Sequence, residues 1–395
     1  MKSSRKLTKQ LQDSMRLLAE ATEGASYIVQ SMHQRIASGP EFLGKPLAPL
    51  VKALTSPTYE TVRLITRLVS KSVDTLIEPM HEWLPYKGLE RGTFLAALNG
   101  VLGDHLAAQQ SSLAISMQIC FQGQSLSDDP ERLKQMFPKP QPLLLLLHGS
   151  SLDEQSWERK GMNYGRSLAE ECGYAPLYLR YNTGLHISEN GRLLAELLEH
   201  YLKKWPWPWE KLAFLGHSMG GLVALSAIHQ ASEQKLNWPE ALQNLVSLGT
   251  PYHGSPLERT GNWFDVALGA YSYTEPLARL GKIRSAGVTD LRFGFFLEEH
   301  WRGRDRFAKG PDPRSYLALP KALRTCVIAG TRSLVPGKKL LSDGLVPVES
   351  ALGQHRKKDL RLEIAEKDHM IIYGSHHLDL LSHPKVYEHV KRWLS

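Results

Sequence analysis

The stretch Lys211–Leu225 (KLAFLGHSMGGLVAL) restricts what this chain can become more than any other. An apolar run that reads as a buried strand meets Gly216-His217-Ser218-Met219-Gly220 and passes straight into an apolar, helix-favouring run. A strand that turns into a helix over so few residues needs unusual backbone angles and close approach of neighbouring chain, which glycine tolerates best. This is the pattern of a nucleophile elbow with Ser218 at its tip. The helix behind the tip aims its unpaired N–H groups at the serine, where they favour developing negative charge. The competing reading, a serine that merely caps a helix, leaves the flanking apolar strand and glycines without a purpose.

From Leu143 onward, short unbroken apolar runs alternate with helical segments. Leu143–Leu147, Ala175–Tyr181, Leu212–Leu215, Leu245–Leu248, Thr325–Ala329 and Met370–Tyr373 read as strands, and Leu193–Leu202 and Val386–Leu394 as helices. Strands without polar alternation, separated by helices, imply a mostly parallel sheet covered on both faces. Residues 7 to about 120 carry helical spacing instead. A first helix ends at the breaker Ser38-Gly39-Pro40, a second spans about Tyr59–Ile77, and a third about Leu89–Ala108. The polar, proline-containing stretch Ser125–Pro142 reads as a linker. The expected organisation is therefore a helical N-terminal region over 1–124, a linker over 125–142 and an α/β domain over 143–395. Between Gly261 and Pro320 no clean strand pattern occurs, and aromatic residues such as Trp263, Phe264, Tyr271 and Trp301 accumulate. That insertion is the candidate cap.

Composition narrows the function classes. At 395 residues a large core is affordable, and the net charge of +8 is spread along the chain rather than gathered into a nucleic-acid module. Three widely spaced cysteines, Cys120, Cys172 and Cys326, suit a reducing compartment better than a disulfide framework. The basic N-terminus lacks the continuous apolar stretch of a secretory signal, and Leu143–Leu147 is far too short to span a bilayer. A soluble, cytoplasmic protein is expected. The apolar faces of the N-terminal helices are expected to pack on the main domain, with peripheral contact to a lipid surface as the competing use.

A serine hydroxyl needs a histidine to take its proton and an acid to orient that histidine. Asp343, in Ser342-Asp343-Gly344-Leu345-Val346-Pro347, follows a predicted strand and is the favoured acid, ahead of Glu349 and Asp368. Three histidines near the last strand compete for the base. His369 precedes that strand, whereas His376 and His377 lie on the expected side, between it and the last helix. The same residues with Asp379 lack the His-x-x-x-His spacing of a zinc site, and no Cys-x-x-Cys pattern or cofactor fingerprint is present. An oxyanion hole would combine the N–H of Met219, just after the nucleophile, with one from the loop after Leu143–Leu147, where Gly149 or Ser150 is the candidate. His148 reads as a residue that holds this loop. Arg180 and Asn182, at the end of a strand, read as loop hydrogen-bonding groups.

With these pieces in order, the chain resembles the α/β-hydrolase superfamily and, within it, lipase- and esterase-like bacterial hydrolases. The resemblance rests on His148-Gly149, the Ser218 elbow, Gly249-Thr250-Pro251-Tyr252-His253-Gly254 and Ser342–Pro347. It also rests on the segments YLRYNTG (Tyr178–Gly184), GNW (Gly261–Trp263) and HLDLL (His377–Leu381). It covers about 143–395 strongly and 1–140 more loosely, through Ala97–Asp104. It implies an α/β-hydrolase fold with a helical N-terminal extension and an inserted cap, and it favours His377 over His376. It further implies cofactor-independent hydrolysis of a small-molecule acyl ester, as an esterase or lipase, by Ser218, Asp343 and His377 through an acyl-enzyme. Thioesterase or acyltransferase chemistry on the same residues is the nearest alternative, and a non-catalytic hydrolase-like binding scaffold the more distant one.

Overall fold

The computed structural model describes residues 89–255, 285–304, 312, 314, 319–335 and 342–395. The two helices expected before residue 80, the GNW segment and much of the expected cap lie outside the described residues. The first described helix, α1 (Leu89–Ala108), has the bounds expected of the third N-terminal helix and belongs to the same compact unit as the sheet. It is followed by β1 (Gln118–Phe121), β2 (Gln124–Ser125) and α2 (Pro130–Met136), where the sequence suggested the end of a helical region and a linker. Local chemistry explains the difference. Gln122 and Gly123 both take positive φ, 49° and 77°, the two-residue turn whose twist matches a hairpin. Asp129 then caps α2 by accepting a hydrogen bond from the Glu131 N–H, and Pro130 occupies the first turn, where its missing N–H costs nothing.

The chain continues through β3 (Leu143–Leu147), the small hairpin β4 (Glu158–Arg159) and β5 (Met162–Asn163), α3 (Tyr164–Cys172) and β6 (Ala175–Arg180). Next come α4 (Ile187–Lys204), β7 (Leu212–His217), α5 (Met219–Glu233), β8 (Leu242–Leu248) and α6 (Ala286–Asp290). β9 (Arg324–Thr331), α7 (Val348–Ala351), β10 (His369–Tyr373) and α8 (Pro384–Leu394) complete the described strands and α-helices. Eight strands form one sheet in the order β2-β1-β6-β3-β7-β8-β9-β10. The pairs from β6 to β10 are all parallel, and β1 runs antiparallel to both of its neighbours. An antiparallel hairpin at one edge, a swap that sets β6 outside β3, and a parallel run to the other edge make the α/β-hydrolase fold that the sequence implied.

Every leucine of β3 is buried, each contributing roughly 2 kcal/mol by leaving water. Alternate residues serve opposite faces. Leu144 and Leu146 join Leu215, Val246, Ile328 and Ile372 under Leu168 of α3 and Val386, Val390 and Leu394 of α8. On the other face, Phe214 of β7 meets Trp238, whose indole N–H donates to the Ala195 carbonyl of α4. α4 and α5 pack closely there, because a Cβ on Gly191 would come within 2.1 Å of Ser226 Oγ. The parallel strands all point their carboxyl ends to one edge of the sheet, where open α/β sheets bind ligands. The His148 loop, Ser218 and His377 follow directly from the ends of β3, β7 and β10, and Asp343 follows β9 after a loop. Among the described residues no helix is long and apolar enough to cross a membrane.

Candidate active site

Ser218 sits between β7 and α5 with φ 54° and ψ −123°, a left-handed strain that a non-glycine residue adopts only when its surroundings enforce it. Two backbone bonds do so. The Ser218 N–H donates to the Leu248 carbonyl at 2.8 Å, and the Ser218 carbonyl accepts from the Gly221 N–H at 3.1 Å. The glycines around it have no room for a side chain. A Cβ on Gly220 would stand 2.2 Å from the Leu147 carbonyl oxygen, one on Gly221 2.1 Å from Thr250 Oγ1, and one on Gly216 2.7 Å from Gly221 itself. Met219 is the first residue of α5, so its N–H lacks an intrahelical partner.

Asp343 and His377, read from the sequence as acid and base, form a 2.6 Å contact between Asp343 Oδ2 and His377 Nδ1. Both residues are buried. The other carboxylate oxygen, Oδ1, accepts from the N–H groups of Leu345 at 2.9 Å and Val346 at 2.8 Å, so the carboxylate cannot rotate away from the imidazole. The His377 N–H also donates to the Asp343 carbonyl at 3.1 Å, which ties the two loops together. Space for this pair comes from two glycines. A Cβ on Gly330 would lie 3.0 Å from Asp343 Cβ, and one on Gly249, whose φ is 58°, would lie 2.9 Å from His377 Cε1.

The other candidates are elsewhere. His376 is exposed, and its N–H donates to Asp379, which pairs with Lys160 at 2.8 Å. His369 opens β10 at the amino end of the strand, with half-buried Asp368 just before it. Glu349 is exposed on α7. His217 packs its ring 4.8 Å from the His377 ring and places Nε2 3.3 Å from the His377 carbonyl oxygen. Burial first, and then the neighbouring His377, hold its pKa well below 6.5, so it serves as a neutral donor to that carbonyl.

The loop after β3 comes up against the serine. A Cβ on Gly149 would lie 3.0 Å from both Ser218 Cβ and His217 Nδ1, so the backbone here passes close against the serine and any side chain would press on it. Ser150 is buried next to it. His148 holds the loop as expected, with Nδ1 donating to the Gly149 carbonyl at 2.9 Å. Burial lowers the His148 pKa to about 4. Arg180 pairs with Glu154 through Nε at 3.0 Å, and Asn182 Nδ2 donates to the Gly103 carbonyl of α1 at 2.8 Å. Sequence reading quoted Gly249, Tyr181 and Thr183 only within motifs and gave none of them a chemical role at the site, and it passed over Gly330; all four touch the site or its loops. The signal for Tyr181 and Thr183 was the Tyr181-Asn182-Thr183-Gly184 run; the glycines carried none beyond the turn at Gly249. Among the described residues no group of three or more His, Cys, Asp or Glu side chains is arranged to hold a metal ion.

Residues 160–307 match the family model described as a PGAP1-like alpha/beta domain. Among solved structures, the chain is similar to a Bacillus licheniformis lipase in its mature form, at 16% identity over 65% of this chain and 92% of that one, with a TM-score of 0.41. A thermophilic esterase from Thermogutta terrifontis aligns at 17% identity over 71% and 92% of the two chains, with a TM-score of 0.37. A type II thioesterase of the yersiniabactin biosynthetic pathway aligns at 16% identity over 64% and 93%, with a TM-score of 0.38. No curated protein sequence matches the chain.

Proposed function

We propose that this chain of α/β-hydrolase fold is a serine hydrolase, an esterase or lipase, that cleaves carboxylic esters of small molecules. The observation that carries the reading is the 2.6 Å contact between His377 Nδ1 and an Asp343 carboxylate whose other oxygen is fixed by two backbone N–H groups. That arrangement suits a base held in one tautomer, with Nε2 left to exchange a proton. The strained Ser218 at the elbow supports the nucleophile assignment, since such strain is stored where function needs it.

In this mechanism His377 takes the Ser218 proton as Oγ attacks the ester carbonyl. The N–H groups of Met219 and of Gly149 or Ser150 stabilise the tetrahedral oxyanion, one such donor being worth roughly 3–4 kcal/mol. His377 then protonates the leaving alcohol, and an acyl-enzyme remains on Ser218. Water, deprotonated by His377, releases the acid.

Hydrolysis of p-nitrophenyl esters of graded chain length, with acyl thioesters run in parallel, tests the proposal. Wild type is expected to turn over esters and to react with a fluorophosphonate, and Ser218→Ala to do neither. Full activity in the mutant would remove Ser218 as nucleophile. A folded wild type that neither hydrolyses nor labels would leave the binding-scaffold alternative standing.

A further inference from the structure

The loop His148–Ser151 has to hold a backbone N–H at a fixed point beside Ser218, yet its own conformation is costly. Ser151 takes φ 61°, a left-handed value that glycine would accept but serine resists. One segment grips the loop from both sides. Where the chain leaves β6, the Tyr181 hydroxyl donates to the His148 carbonyl at 2.7 Å, and its ring stacks on the His148 imidazole at 4.4 Å. Two residues later, Thr183 Oγ1 accepts a hydrogen bond from the strained Ser151 N–H at 3.1 Å. The two bonds bracket Gly149 and Ser150.

The gripping segment is itself immobilised. Asn182, between Tyr181 and Thr183, donates through Nδ2 to the Gly103 carbonyl of α1 and accepts through Oδ1 from the Gly184 N–H at 3.0 Å. Asn190 Nδ2 donates to the Asn182 carbonyl at 2.9 Å, and the Gly287 N–H donates to the Gly184 carbonyl at 3.0 Å. Tyr181, Asn182 and Thr183 are each 1% exposed, so these bonds form out of competition with water. Helix α1 closes the stack: a Cβ on Gly100 would lie 2.0 Å from Ser151 Oγ, and one on Gly103 would lie 1.9 Å from Asn182 Oδ1.

We propose that Tyr181 and Thr183 are positioning residues that clamp the His148–Ser151 loop and so set the second oxyanion donor. The proposal rests on the ester-hydrolase reading above. It agrees with the donors that reading names. The Ser151 N–H is already committed to Thr183, which leaves the donor to Gly149 or Ser150, the two residues between the clamped ends. Neither Tyr181 nor Thr183 touches the substrate; each acts through the loop.

Thr183→Val keeps the shape and removes the acceptor, Tyr181→Phe removes only the hydroxyl, and Thr183→Ser restores an acceptor at position 183. Steady-state kinetics on a p-nitrophenyl ester, melting temperature, and hydrogen exchange of the peptide spanning 147–152 are measured for each. Thr183→Val and Tyr181→Phe are expected to lower kcat about tenfold or more with KM within about threefold, as for a misplaced oxyanion donor. Exchange at 147–152 should accelerate in both, the melting temperature should fall by no more than a few degrees, as for the loss of one buried hydrogen bond, and Thr183→Ser should return kcat and exchange toward wild type. A wild-type kcat in Thr183→Val overturns the proposal, whatever the exchange shows. So does an equal loss in Thr183→Ser, which would make packing rather than the hydrogen bond the cause. If wild type has no Ser218-dependent activity, the ester-hydrolase reading falls separately. The clamp is then judged by exchange alone, and unchanged protection of 147–152 in both variants rejects it.

Discussion

Asp343 divides its two carboxylate oxygens between a backbone and a ring, and that division makes a sharp prediction for Asp343→Asn. The Leu345 and Val346 N–H groups demand an acceptor, so the carboxamide must turn its oxygen toward them and its NH2 toward His377 Nδ1. An NH2 cannot accept from Nδ1–H, so the imidazole is driven to the other tautomer, with its proton on the nitrogen that, in the proposed mechanism, receives one from serine. The expected result is a fall in kcat of about 10³- to 10⁴-fold with little change in KM or melting temperature. Kinetics on a p-nitrophenyl ester check it; activity within threefold of wild type would show that Asp343 does not orient the base. The same reasoning explains why this pair was legible in sequence. An Asp-Gly turn after one apolar strand and histidines just beyond the last one are local patterns, and the fold brings the ends of parallel strands to one edge; between His376 and His377 the pattern did not choose, and only the resemblance through HLDLL favoured His377. Tyr181 and Thr183 were not legible as site residues, because their meaning lies in contacts with His148 and Ser151, over 30 residues away in the chain.

Among elements, the elbow shows how packing between a strand and a helix overrides local preference. Gly220 lies in the first turn of α5, where alanine would by itself favour the helix by up to about 1 kcal/mol. A methyl there, however, meets the Leu147 carbonyl at 2.2 Å, and that carbonyl belongs to a central strand paired on both sides. Neither partner can yield cheaply, so α5 must lift from β3 and carry Ser218 with it. Gly220→Ala is expected to destabilise the protein by roughly 2–3 kcal/mol net and to lose most ester hydrolysis. Thermal unfolding and kinetics together decide the matter; an unchanged melting temperature with full activity would mean that the helix can shift freely. Elements of this buried kind were the readable ones. The five leucines of β3 announce a strand because both faces are covered, which removes any reason for polar alternation. The β1–β2 hairpin went unread because β2 is only two exposed residues long and offers no apolar pattern at all. Its one signal was Gln122-Gly123, a weak version of the hairpin turn pair.

At the scale of the whole molecule, among the described residues, burial holds more histidines than carboxylic acids in their neutral form, and this sets the response to acid. Burial lowers the pKa of His148 and of His300 from the usual 6.5 to about 4. In each case the bonding explains why the neutral ring is needed. His148 Nδ1 already donates to Gly149, while its Nε2 is buried among the described residues without a partner. His300 Nδ1 faces the N–H groups of Phe296 and Leu297, so a proton there would meet two donors. Buried His217 shifts in the same direction, and half-buried His253 falls to about 4 as well. Between pH 6.5 and 4 the unfolded chain binds protons that these rings refuse, so stability declines as pH falls. His148 and His300 each account for roughly 3 kcal/mol over that window. Asp153 works the other way: burial raises its pKa from 3.8 to about 6, so the folded state takes up a proton first and gains stability on acidification. Asp290, also raised by burial, adds to that opposing side. Burial lowers the pKa of half-buried His389 as well, and five histidines against two acids leave a net loss, so the melting temperature is expected to drop steeply from pH 6.5 to 4.5 and to be nearly flat from 6.5 to 8. Replacing His300 with glutamine, which cannot titrate, should lower stability at pH 7 but reduce the slope below pH 6.5. A melting temperature that rises toward pH 4.5, or a slope that His300→Gln leaves untouched, would show that these rings are protonated in the folded protein.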